Sequence, residues 1–67
     1  MDNEVKNITN RRHIGRNIQR IRVYLGIKQE ALAADLGVSQ NIISKIEKEP
    51  EIEEGLLNQL ASALGIS

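Results

Sequence analysis

The chain has 67 residues, no cysteine, one histidine and a formal net charge of zero at pH 7. A chain of this length forms one domain, and folding buries only about 60% of the surface that the unfolded chain exposes. Without cysteine there is neither a disulfide framework nor a thiolate metal site, and a single imidazole cannot complete a coordination sphere. We therefore expect no metal and no other cofactor.

Hydropathy and motif content exclude further classes of protein. No apolar run approaches the roughly 20 residues that cross a bilayer, and residues 1–10 are too polar for a signal peptide. The sequence contains no Ser/His/Asp set, no glycine-rich phosphate loop and no carboxylate cluster on an apolar background. We expect a cytoplasmic protein that is not an enzyme and has no membrane partner.

The charged residues are distributed unevenly along the chain, although they sum to zero. No acidic residue lies between Val5 and Lys28, whereas glutamates crowd residues 47–54. The molecule is therefore expected to have a basic end and an acidic end. The cations are Lys6, Arg11, Arg12, Arg16, Arg20, Arg22 and Lys28, and the glutamates are Glu47, Glu49, Glu51, Glu53 and Glu54.

Residues 1–12 show no helical period and carry Asn3, Asn7 and Asn10. A polar, aperiodic terminus of this kind is typical of a mobile arm. We therefore predict a flexible N-terminal arm over residues 1–12, followed by a folded domain over residues 13–67.

An amphipathic helix is predicted over residues 13–25. Its apolar residues recur at spacings of four, three and four, which places them on one face of a helix. Gly26 then supplies the C-terminal stop. The apolar face consists of Ile14, Ile18, Ile21 and Leu25.

A second helix is predicted over residues 28–36, which are rich in the strong helix formers Ala, Leu, Gln and Glu. Gly37 ends it, because glycine adopts the left-handed conformation without a steric penalty. Val38 is expected to fold back as an apolar plug beneath the turn, and Ser39 is a natural N-cap for the next helix. The apolar side of the second helix is Leu32, Ala33 and Leu36.

A third, short helix is predicted over residues 40–47. Helical spacing directs Ile43 and Ile46 inward. The opposite side is then a polar, hydrogen-bonding face, made of Gln40, Asn41, Ser44 and Lys45.

A fourth helix is predicted after Pro50, which prevents a straight continuation of the third. The negative charge of residues 51–54 suits the positive N-terminal end of its dipole, and Gly65 closes it. With no strand pattern and no internal repeat, the predicted fold is all-α. The buried stripe of the fourth helix is Leu57, Leu60, Ala61 and Leu64.

Residues 28–47, KQEALAADLGVSQNIISKIE, resemble the helix-turn-helix of the phage repressor and Cro family, also called XRE-type regulators. The matching features are Gln29 opening a helix, the Leu32-Ala33 pair, Gly37 at the turn, and the Ile43, Ile46 and Glu47 register. The flanking segments resemble the first and fourth helices of the family, so the resemblance extends over residues 14–67. It implies a compact repressor-like domain of four, or five, helices that binds double-stranded DNA.

The resemblance also implies roles for individual residues. Gln29 is expected to hydrogen-bond a phosphate with Lys28 beside it, and Arg22 is expected to pair with Glu47. Ile42 has two open roles, which are contact with a thymine methyl group and packing against the second helix. The residues expected to face DNA from the third helix are Ser39, Gln40, Asn41, Ser44 and Lys45.

Three departures from the family pattern bear on these expectations. The family usually has Ser or Thr where Lys28 stands, so the second helix loses its side-chain cap and gains a charge near a phosphate. The acidic residues 47–54 either point away from the duplex or weaken binding. Many relatives carry a fifth helix or extension used for dimerisation, which would begin near Ser67.

The function predicted from the sequence is sequence-specific DNA binding by a repressor-like transcriptional regulator, acting as a homodimer on two half-sites about 34 Å apart. Two alternatives stay open: a protein-interaction module on the same fold, and an antitoxin whose DNA binding is secondary to a protein partner. Steep loss of DNA affinity with salt distinguishes a DNA binder from both.

Overall fold

A computed structural model describes residues 13–66, which form four α-helices and, within that range, no strand. The all-α class predicted from the sequence is confirmed. The predicted arm, residues 1–12, and the final residue, Ser67, lie outside the described residues. The helices are α1 (Ile14–Tyr24), α2 (Gln29–Leu36), α3 (Gln40–Glu47) and α4 (Glu54–Ala63).

The bounds of α1 differ from the prediction by one residue at each end, because the terminal residues serve as caps. His13 has extended backbone angles, and its Nδ1 accepts a hydrogen bond from the Arg16 N–H at 3.0 Å. Leu25 is the C-cap and is exposed. The prediction that Leu25 belongs to the buried face is therefore wrong, since the helix ends at Tyr24 and the next apolar residue that packs against the core is Ile27.

The turn between α2 and α3 depends on the left-handed backbone of Gly37, with φ 72° and ψ 30°. The Val38 N–H donates to the Ala33 carbonyl at 2.9 Å and the Gly37 N–H to the Ala34 carbonyl at 3.2 Å, which together form a Schellman motif. Val38 itself is exposed and lies outside the core. The prediction that Val38 plugs the space beneath the turn is wrong, because its side chain is exposed and does not pack against the core.

The hydrophobic core lies where α2 meets α3 and α4. Leu32, Ile43 and Leu60 are completely buried, and each comes from a different helix. Helix α3 packs against both α1 and α2, while α4 packs against α2. The predicted fourth-helix stripe is buried at Leu60 and Leu64 and partly buried at Leu57 and Ala61.

The first turn of α1 meets the end of α3 backbone to backbone. The Gly15 N–H donates to the Glu49 carbonyl and the Ile14 N–H to the Pro50 carbonyl, both at 2.9 Å. A Cβ on Gly15 would overlap the carbonyl oxygens of Ile46, Glu47 and Glu49. These contacts satisfy two free amides of α1 and set its positive dipole end beside the negative end of α3.

We predict that Gly15→Ala lowers the free energy of unfolding by roughly 1–3 kcal/mol, because the added methyl must push carbonyl groups apart. The higher helix propensity of alanine offsets only part of this loss, up to about 1 kcal/mol. Urea unfolding followed by circular dichroism measures the change.

Gly55→Ala is the matched control, since a Cβ at Gly55 in the first turn of α4 meets only the Glu53 carboxylate, at 3.6 Å and beyond. That variant should be more stable than wild type by about 0.5–1 kcal/mol. If Gly15→Ala is as stable as wild type or more stable, Gly15 does not lie as close to the α3 carbonyl groups as described.

Candidate nucleic-acid interface

One side of α3 is buried and the other is open to solvent. Ile43 and Glu47 are buried against the core, whereas Gln40, Asn41 and Lys45 are exposed. This division follows from a rotation of about 100° per residue, which places Ile43 and Ile46 on the inner side of the helix. The exposed side chains provide amide donors and acceptors and one ammonium group.

Two residues lie at the edges of this exposed face. Ser44 is half-buried, and Ile42 is 41% exposed. The Ile42 N–H is held by the Ser39 hydroxyl at 3.4 Å, so the N-cap fixes the first turn of α3. The exposed face is therefore a rigid helix surface rather than a loop.

The start of α2 lies beside the start of α3. Lys28 is the N-cap residue of α2, is exposed and makes no side-chain capping hydrogen bond. The first amides of a helix lack intrahelical acceptors and carry the positive end of the dipole. An anion approaching this end would meet those amides together with the Lys28 ammonium group.

Arg22 of α1 and Glu47 of α3 form a buried ion pair. Arg22 Nε donates to Glu47 Oε2 at 2.6 Å and Arg22 Nη2 to Glu47 Oε1 at 3.3 Å. The two side chains are only 10% and 3% exposed. Arg22 Nη1 also donates to the Ile27 carbonyl at 2.7 Å, so the guanidinium is satisfied on both sides.

Gln29 connects this ion pair to the exposed face of α3. Its Nε2 donates to Glu47 Oε1 at 3.0 Å, and its Oε1 accepts from Gln40 Nε2 at 3.2 Å. The result is a hydrogen-bonded chain, Arg22–Glu47–Gln29–Gln40, that runs from the core to the surface. We call it the polar chain.

Only the first pair of the polar chain, Arg22–Glu47, is predicted from the sequence. Gln29 was expected as a phosphate ligand, and its contacts with Glu47 and Gln40 were not predicted. A usable signal was present, because Gln29 and Gln40 both open helices that are joined by a tight turn. Gly15 was missed as well, although a glycine inside a helical pattern, where it lowers helix stability, can mark a packing requirement.

The acidic segment after α3 is attached at the end of that helix opposite Gln40. The carbonyls of Glu49 and Pro50 are bound by the first amides of α1, which fastens this segment at the C-terminal end of α3. Gln40 lies at the other end, about 10 Å away at 1.5 Å per residue. The Gln40 end of the exposed face and the acidic segment are therefore separated along the helix axis.

The described part of the chain has neither a cluster of metal-binding side chains nor a membrane-spanning helix. Among residues 13–66, no group of three His, Cys, Asp or Glu side chains is arranged to hold a metal ion. None of the four helices is both long and apolar enough to span a bilayer. Three of the basic residues, Lys6, Arg11 and Arg12, lie outside the described range.

We predict that Glu47→Gln lowers the free energy of unfolding by about 3–5 kcal/mol, because it leaves the buried Arg22 guanidinium without its counter-charge. The double variant Arg22→Met/Glu47→Leu should recover most of that loss, since apolar residues of similar volume need no partner. Urea unfolding measures both.

Glu51→Gln is the control for charge alone, because Glu51 is exposed, and it should change stability by less than about 0.5 kcal/mol. If Glu47→Gln lowers the free energy of unfolding no more than Glu51→Gln does, the ion pair does not hold α1 to α3.

Comparison with known proteins gives one match. A family model described as helix-turn-helix matches residues 18–67, which is well over half of the chain. Neither a curated protein nor a solved structure matches the chain. The matched segment begins inside α1 and includes the whole of α2, α3 and α4.

Proposed function

The chain belongs to the XRE-type helix-turn-helix family of DNA-binding transcriptional regulators, and from this premise we propose that it recognises a specific duplex sequence with α3 in the major groove. The observation that carries the proposal is the exposed polar face of α3, set on a helix that the core and the Ser39 cap hold rigidly. A major groove about 12 Å wide admits one α-helix.

The side chains of this face have the chemistry for base recognition. Gln40 and Asn41 can each pair with adenine N6 and N7, and Lys45 can donate to guanine O6 and N7. Ser44 and Ser39 are hydroxyls that suit a base edge or a phosphate at the margin of the face.

Phosphate contacts are assigned to the start of α2. The exposed Lys28 ammonium group and the free first-turn amides of α2 would bind one backbone phosphate, with the Gln29 carboxamide beside it. This supports orientation of the domain on the duplex, whereas the base contacts from α3 supply specificity.

Action as a repressor-like homodimer is part of the proposal. One short helix reaches few base pairs, and two-fold pairing of half-sites about 34 Å apart multiplies the contacts. Cytoplasmic localisation belongs to the same proposal, because the protein must be in the compartment that contains duplex DNA. Neutral net charge limits the non-specific contribution to affinity, so discrimination must come largely from base contacts.

A second candidate function is binding of a protein partner, as in an interaction module or an antitoxin on this fold. The observation that favours it is the exposed end of α1, where Val23 is 61% and Tyr24 88% exposed. Exposed apolar residues of this size occur at protein interfaces. This activity and DNA binding are compatible, because the two surfaces use different helices.

We predict that the wild-type chain binds random duplex DNA with an affinity that falls steeply as salt rises. The logarithm of the binding constant should decrease with the logarithm of salt concentration by roughly 0.9 per phosphate neutralised. Fluorescence anisotropy at several salt concentrations gives the slope. A weak, flat response would favour the protein-partner function instead.

We predict that Gln40→Ala and Asn41→Ala each weaken binding to a selected operator by roughly 1–3 kcal/mol without unfolding the domain. The operator is obtained by selecting bound sites from a random duplex pool. Gln59→Ala and Asn58→Ala are matched controls, because they remove exposed amides of the same types from α4. Unchanged operator discrimination in both α3 variants would refute this assignment.

A further inference from the structure

We propose that the outer face of α1 is a docking surface for an acidic protein segment that carries apolar side chains among its carboxylates. This face is defined by four exposed residues, Arg16, Arg20, Val23 and Tyr24. The inference goes beyond DNA binding. It rests on the second candidate function, the binding of a protein partner, to which it gives a surface and a partner chemistry.

The outer face lies on the side of α1 opposite the core. At about 100° per residue, its two arginines fall roughly half a turn away from Ile18, which is 4% exposed. The contacts between α1 and α3 use the other side of α1, at Gly15 and Arg22. A duplex bound along the exposed face of α3 therefore leaves the outer face of α1 uncovered.

The two cations of this face are placed unfavourably for α1 itself. The helix contains no acidic residue, and within residues 13–66 no hydrogen bond or ion pair engages the guanidinium of Arg16 or Arg20. Arg16 lies in the first turn, beside the positive end of the helix dipole. Arg20 follows it by four residues, so the two like charges are neighbours. An anion from a partner would relieve both effects.

The chain's own acidic segment, residues 49–54, does not neutralise the whole face. The Gly15 N–H donates to the Glu49 carbonyl, which places this segment at the N-terminal end of α1. Arg20 lies five residues further along, or about 7 Å at 1.5 Å per residue. The positive charge therefore stays available toward the C-terminal end of α1, where the apolar residues of the face lie.

The apolar half of the face determines the class of partner. Val23 is 61% and Tyr24 88% exposed, one turn after Arg20. DNA phosphates would use the arginines and leave these side chains in water. A membrane surface needs a broad apolar face, and the isoleucines of α1 pack against the core instead. Arginine pairs with carboxylates, and Tyr and Arg are enriched at the centres of protein interfaces, so an acidic segment with apolar side chains fits both halves.

The experiment titrates the full chain with three synthetic peptides, each long enough for about four helical turns. The first carries glutamates and leucines on one face, at spacings of three and four residues. The second has glutamine in place of glutamate, and the third has serine in place of leucine. Tyr24 is the only aromatic residue of the chain, so its intrinsic fluorescence reports contact with this face without a label.

The wild-type chain should bind the Glu/Leu peptide at least about 10-fold more tightly than either control peptide. Arg16→Gln/Arg20→Gln should lose the preference for glutamate, and Val23→Ser should weaken the preference for leucine. The urea midpoint of the arginine variant should equal or exceed that of wild type, because the removed charges are unfavourable in α1. Circular dichroism confirms folding of each variant.

Lys28→Gln/Lys45→Gln is the matched control, because it removes two exposed cations from the proposed DNA surface and none from the outer face of α1. It should bind duplex DNA more weakly and keep its affinity for the Glu/Leu peptide. The arginine variant should show the reverse pattern. Such a double dissociation assigns the two ligands to two surfaces.

Binding that depends on leucine but not on glutamate would keep the second candidate function and overturn the inference. No binding of the Glu/Leu peptide, or a lower urea midpoint in Arg16→Gln/Arg20→Gln, would overturn it as well. Loss of DNA affinity in the arginine variant as large as in Lys28→Gln/Lys45→Gln would make the face a phosphate surface instead. Concentration-dependent association of the chain that requires the arginines would identify a second copy as the occupant and overturn it too. Absence of salt-sensitive DNA binding in wild type would overturn the proposed DNA recognition alone.

Discussion

The buried Arg22–Glu47 ion pair is the interaction on which the arrangement of the first three helices depends. It joins α1 to α3, and through Gln29 it reaches α2. Arg22 Nη1 also donates to the Ile27 carbonyl, so the same side chain holds the loop between α1 and α2. Removing two charges from water is unfavourable unless the partners satisfy each other, and here both carboxylate oxygens and three guanidinium nitrogens are bonded. The pair therefore selects one arrangement of helices in a domain whose apolar core is small.

The backbone junction at Gly15 holds the same two helices from the other end of α1. Its hydrogen bonds to Glu49 and the approach of α3 carbonyls require that no side chain intervene. The ion pair and this junction both hold the C-terminal end of α3 against α1, and the buried Ile43 packs the rest of its inner side into the core. Its outer side, including Gln40 and Asn41, remains free for a partner. In the proposed function, rigidity of the inner side is what allows the exposed polar face to distinguish bases.

The sequence predicted α3 with its observed bounds because several independent signals agreed there. Ser39 caps the helix, Ile43 and Ile46 mark its inner side, and Gly37 supplies the left-handed residue before it. Periodicity was less informative at helix ends. It assigned Leu25 to a buried face and Val38 to the space under the turn, but burial there depends on how far the neighbouring helices extend. A pattern along one helix contains no such information.

Side-chain hydrogen bonds between helices were the least predictable feature. The position of Gln29 in the motif indicated a contact with DNA, whereas its bonds to Glu47 and Gln40 depend on the crossing of α2 and α3 and on amide orientation. The chemistry of an acceptor-only carboxylate determines that orientation once the residues are adjacent. The exposed side of α3 is thus predictable from helical periodicity, whereas its hydrogen-bonded connection to the core depends on how the helices cross.

The central claim is that the outer face of α3 and the start of α2 contact DNA, and amide chemical-shift mapping tests it most directly. Isotope-labelled wild-type protein is titrated with a short duplex at low salt, and the backbone amides are followed. The account predicts that the largest changes fall on residues 28–29 and 39–45. Changes confined to residues 23–25 or 49–54, with residues 39–45 unaffected, would contradict it.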